Sequence, residues 1–146
     1  MWYGLSPHQV EQLEAVDRLL LRKILDTPIS TPIEGIQLEL GVFSIGTIIK
    51  ARRIIFLHYL LTTGENEMMS KVFWAQWKNP AKNDWTEQVK DDLNLFKIEP
   101  DLKQLAGKSQ NVFKKFVKVK AAEYEFRRLM NIKQKHSKMD NLNYSK

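Results

Sequence analysis

The adjacent acids Asp91-Asp92 are the first place to look for chemistry, because such a pair can hold two magnesium ions in a polymerase. That use needs a tight β-hairpin on which both carboxylates converge. Here Trp85, Val89, Leu93 and Phe96 recur at helical spacing around the pair, and neighbours on a helix point about 100° apart. Lys90 precedes the pair, and no third acid is placed to complete a metal site. Asp91-Asp92 therefore reads as an exposed helix face. His8, His58 and His136 lie far apart, and none belongs to an HExxH pattern. His58 falls in the most apolar segment, where a hydrogen-bonded core or boundary histidine is expected. Glycine-rich nucleotide loops and the GxSxG elbow do not occur. The chain has no cysteine, which excludes disulfide, thiol, zinc-finger and iron–sulfur chemistry. The expectation is a chain with no catalytic residue, no metal ligand and no cofactor.

The basic residues carry more information. The net charge is +6, but residues 1–107 hold 12 Lys and Arg against 14 Asp and Glu. Residues 108–146 hold 11 Lys and Arg against only Glu123, Glu125 and Asp140. A nearly neutral body with a basic C-terminal end points to a polyanion partner, most often nucleic acid. Lys114, Lys115 and Lys118 gather on one flank of the last helical segment, with Lys120 and Arg127 along the other edge and Arg128 beside them. Lys50, Arg52 and Arg53 form a second cluster, of which one arginine is expected to cover an acid such as Glu39. Lys114, Lys115, Lys118, Lys120, Arg127, Arg128, Lys50 and Arg53 are the candidate phosphate contacts. Such contacts bind with little sequence preference and strong salt dependence. Trp74, Trp77 and Trp85 flank a loop with Lys78 and Lys82, and their helical spacing fits packing better than base stacking.

The elements that position these groups are helical almost throughout. Ser6-Pro7-His8-Gln9 has the form of a capping box, and Val10, Leu13, Val16 (or Asp17), Leu20 and Ile24 follow at three- and four-residue spacing. A helix over about residues 7–25 ends before Pro28. A short helix from Ile33 stops at Gly41, and Ser44 opens a mostly buried one that ends at Thr62-Thr63-Gly64. Further helices are predicted over 67–78, from a cap at Asn83 or Asp84, over 100–106, and from Ser109 to about Gln134. On the last of these, Val112, Phe113, Phe116, Val117, Val119, Tyr124, Phe126 and Met130 form the expected docking side. The prediction is one all-α bundle of six to seven helices over 1–135, with a flexible basic tail over 136–146. No run approaches the ~20 apolar residues of a transmembrane helix. The first twenty residues carry Glu11, Glu14 and Asp17 and no basic start, unlike a signal peptide. The expected setting is intracellular.

Several pieces together are distinctive: Trp2-Tyr3-Gly4-Leu5 with Leu20-Leu21-Arg22-Lys23-Ile24-Leu25; Thr31-Pro32 with Leu38-Glu39-Leu40-Gly41; Ile48-Ile49-Lys50-Ala51-Arg52-Arg53 with Leu57-His58-Tyr59-Leu60-Leu61; Asn79-Pro80 with Asp84-Trp85; and Lys135-His136-Ser137-Lys138-Met139. Their order and spacing resemble the region C-terminal to the catalytic domain in non-LTR retrotransposon reverse transcriptases. The resemblance implies a thumb-like and post-thumb helical segment that holds template RNA and primer duplex. It implies no catalytic residue here, since the family's palm, with its Tyr/Phe-x-Asp-Asp motif, precedes the matching region. On this expectation the chain is a non-catalytic fragment that binds RNA or DNA backbone. The alternatives are a helical protein-interaction module, docking on a missing polymerase domain or on itself through Trp2, Tyr3 and the 45–61 helix, and a degenerate remnant of a mobile element.

Overall fold

The computed structural model describes residues 5–64, 67–82 and 84–144. The Trp2-Tyr3-Gly4 pieces and the alternative cap at Asn83 lie outside them. Among the described residues there are seven α-helices and no strand: α1 (Pro7–Ile24), α2 (Ile33–Leu40), α3 (Ile45–Thr62), α4 (Met68–Lys78), α5 (Trp85–Leu95), α6 (Leu102–Ala106) and α7 (Gln110–Tyr144). The protein is an all-α bundle.

The helix ends follow local chemistry. Ser6 and Gln9 form the capping box of α1, with bonds of 3.3 and 2.8 Å. The Asp101 carboxylate accepts from the backbone N–H groups of Lys103 and Gln104 to start α6. Three helices end in the paired backbone bonds of a Schellman motif: Thr27 to Arg22, Val42 to Gln37 and Ile98 to Leu93. Only one of them uses glycine for the left-handed residue, Gly41 at φ 64°. Asp26 and Lys97 take φ 49° and 54° with a side chain attached.

Helix α3 is the axis of the bundle and packs against α1, α4, α5, α6 and α7. Ile54, Leu57 and Leu60 of α3 meet Phe73 of α4, Val89, Leu93 and Phe96 of α5 and its end, and Phe113, Val117 and Ala121 of α7. Because α3 is covered on nearly every side, its sequence is apolar nearly all round, as a buried helix requires. His58 closes the α3–α7 contact. Its ring stacks on Phe113 at 4.3 Å between centroids, and its Nε2 bonds the Lys108 carbonyl at 2.8 Å. That pairs the polar edge of a buried ring with the turn that launches α7.

Two apolar faces point the other way. The later part of the α1 stripe faces solvent, with Val16, Leu20 and Ile24 57%, 55% and 68% exposed, while Val10 and Leu13 are half-buried. Helix α1 packs through its other side, where Leu21 is buried and the Glu14 carboxylate accepts the Gly46 N–H at 2.7 Å. On α7, Val112, Val119, Phe126 and Met130 are exposed, and Phe113, Val117, Ala121 and Glu125 take the core. Helix α7 also does not end near Gln134 but continues to Tyr144. No proline or glycine interrupts residues 110–144, so each added residue gains a backbone bond at little cost.

Candidate nucleic-acid interface

Four cations converge where α3 and α7 run side by side. Arg52 of α3 and Lys114, Lys115 and Lys118 of α7 line a groove of about 550 Å³. Its floor is apolar, from Phe43, Ile48, Ala51 and Ile55 on one side and Val117 and Ala121 on the other, and no Asp or Glu lines it. Helical spacing puts Ile48, Arg52 and Ile55 on one face of α3, and Lys114 and Lys118 one turn apart on α7. All four cations are exposed. Among the described residues none of them forms an ion pair or a hydrogen bond. Four unneutralised charges over an apolar floor attract anions more strongly than the same charges interleaved with acids.

The register of α7 is fixed by one buried acid. Glu125 sends its carboxylate to the start of α3. Its Oε1 accepts from the Ser44 N–H at 3.4 Å, from the Ser44 hydroxyl at 2.8 Å and from the Thr47 hydroxyl. Its Oε2 accepts from Arg128 at 2.9 Å. Burial pushes its pKa up, but Arg128, Thr47 and Ser44 outweigh it and hold the carboxyl below the usual glutamate value. The anion also sits at the positive end of the α3 dipole. Glu14 does the same from α1, so two acids from different helices complete one N-terminus.

The remaining expected contacts do not join the groove. Comparison with protein-family models, with curated proteins and with solved structures finds no match to this chain. The roles of these residues are therefore read from their own surroundings. Arg53 is not a phosphate contact. It is only 8% exposed, and its Nε and Nη2 bond the two oxygens of Asp92 at 2.6 and 3.0 Å while Nη1 bonds Gln88 at 3.0 Å. Glu39, the acid expected to be covered, is exposed, and the partner is Asp92 instead. Asp92 in turn is no surface residue, being 2% exposed, and only Asp91 faces outward. Burial raises the Asp92 pKa against the pull of Arg53. Lys50 lies with Arg53 along the opposite side of α3, in a polar cavity of about 660 Å³ shared with Glu14, Asp92, Tyr124 and Arg128. Burial pushes its amine pKa down.

On α7 itself, Arg128 is spent on Glu125 and on the Gln37 amide oxygen, at 2.9 and 3.0 Å. Lys120 pairs with Glu123 at 3.3 Å, and Arg127 donates to the Leu95 carbonyl at the end of α5, at 3.0 Å. The groove cation that sequence reasoning passed over is Arg52. Its signal was the spacing of Ile48, Arg52 and Ile55, against that of Gly46, Lys50 and Arg53. Among the described residues no group of three or more His, Asp or Glu could hold a metal ion, and no helix is long and apolar enough to cross a membrane.

Proposed function

We propose that this chain is a non-catalytic helical module that binds the phosphate backbone of RNA or DNA through Arg52, Lys114, Lys115 and Lys118. The observation that carries the reading is the acid-free groove, to which two helices bring four unpaired cations. Contacts of this kind grip phosphates and leave base edges unread, so little sequence preference is expected. The resemblance to the post-palm region of retrotransposon reverse transcriptases agrees with that role and rests on the order of short motifs in the sequence. The test is anisotropy of labelled RNA and DNA against salt. The affinity falls steeply between about 50 and 200 mM, and replacing the three lysines by glutamine flattens that dependence. A salt-independent affinity overturns the proposal.

A second reading, a helical protein-interaction module, is favoured by the outward stripe of Val16, Leu20 and Ile24 on α1. A row of this kind buries itself on a second copy or on a larger partner domain. The surface expected on α3 is less free, since Ile49, Ile54, Leu57 and Leu60 are taken up by the core. Light scattering checks self-association: a concentration-dependent dimer lost in Leu20→Glu supports it, and a monomer at high concentration speaks against self-docking.

A further inference from the structure

We infer that the α3–α7 groove takes an unpaired nucleic-acid strand rather than a duplex. This rests on the phosphate-binding reading and goes one step further, from the floor instead of the rim. A duplex hides the faces of its bases in the stack and offers phosphates and groove edges. A duplex leaves the apolar floor facing water, so the floor gains nothing from such a partner. An unpaired strand offers both parts at once, phosphates for cations and flat apolar faces for a floor.

The groove has that division of labour. Arg52 comes from α3 and Lys114, Lys115 and Lys118 from α7, and Ile48 and Ile55 line the same groove with Phe43. Phe43 and Ile55 are only partly buried and pack on the core beneath, so the floor is held rigidly from below. Asn111 adds an amide with both donor and acceptor for a base edge. The charge is of one sign. An acidic helix could match the rim, but it would bring its own backbone and bulk into a cleft of about 550 Å³, a size in the range of small-ligand pockets.

The test uses the full chain with labelled oligouridine, the oligouridine–oligoadenosine duplex, inorganic polyphosphate as a base-free polyanion, and phosphatidylserine vesicles. The single strand is expected to bind about tenfold more tightly than the duplex, the scale of one base stacked on a protein surface. Polyphosphate should compete poorly. Ile48→Gln, checked for folding by circular dichroism, should lower single-strand affinity by a similar factor. Equal binding of strand and duplex, with no effect of Ile48→Gln, overturns this inference and leaves the phosphate reading standing. Failure of every nucleic acid to bind at low salt overturns both. Binding to vesicles in place of oligonucleotides overturns both in favour of a lipid surface.

Discussion

Arg53 holds Asp92 by two hydrogen bonds, Nε to Oδ2 at 2.6 Å and Nη2 to Oδ1 at 3.0 Å, with both side chains buried between α3 and α5. The pair is thirty-nine residues apart in sequence. It joins the axial helix of the bundle to the helix that carries much of the core.

Breaking this pair on one side leaves a buried charge alone. Asp92→Ala should therefore cost about 3–5 kcal/mol in urea unfolding. The double change Arg53→Met with Asp92→Leu should recover most of that loss, because it removes both charges and refills the space. A double variant as unstable as the single one would mean the pair is needed for more than charge balance.

Glu125 should make stability depend on acid. Its folded pKa lies below the ordinary glutamate value of 4.5. The unfolded chain therefore binds its proton first as pH falls, and the stabilisation present above pH 4.5 is lost on descent through the folded value. Glu125→Gln should be about 2 kcal/mol less stable at neutral pH, the scale of hydrogen bonds to a charged group. The gap to the parent should close in acid, as followed by urea melts across pH.

Lys50 works in the opposite direction. Its folded pKa lies below the ordinary 10.5, chiefly through burial, so the protonated amine is held less favourably in the fold than in the open chain. The parent gains stability as pH rises through the folded value towards 10.5. Lys50→Met should melt at a higher temperature than the parent at neutral pH, and the advantage should shrink in alkali.

Lys97 ends α5 in a left-handed conformation at φ 54°. A side chain there costs roughly 1–2 kcal/mol against a relaxed backbone. Lys97→Gly keeps both closing bonds and should stabilise the protein by about 1 kcal/mol, read from the urea midpoint, after the entropy of the freer unfolded glycine is subtracted.

Much of the architecture is legible in the sequence. Ser6, Ser44 and Asp101 announce helix starts by their own side chains, and Gly41 announces an end. Those signals are local, and the observed boundaries fall within a few residues of them except at the end of α7. The faces are harder. The row Val10, Leu13, Val16, Leu20 and Ile24 marks a helix correctly, but only a neighbour decides which side is covered. Here α1 is held by Glu14 on the N-terminus of α3, an interaction thirty-two residues distant, and Val16, Leu20 and Ile24 are left outward while Val10 and Leu13 stay half-buried. Phe126 gives up the inner position to Glu125 for the same reason: four donor groups, from Ser44, Thr47 and Arg128, make an acid a better fit there than a ring. Arg52 and Arg53 show the limit within the site. Adjacent in the chain, they point about 100° apart on one helix, and only the placement of α7 and Asp92 tells which is free.

The uninterrupted length of α7 has a mechanical meaning. Its first turns line the groove with Lys114, Lys115 and Lys118, and its last third, past Ile132, stands clear of the other helices with Lys133, Lys135 and Lys138 exposed. With no proline or glycine between residues 110 and 144, nothing in the sequence kinks the helix between its two ends. The basic end is thereby held at a set distance from the cleft, about 30 Å from Lys118 to Lys138 at a rise of about 1.5 Å per residue.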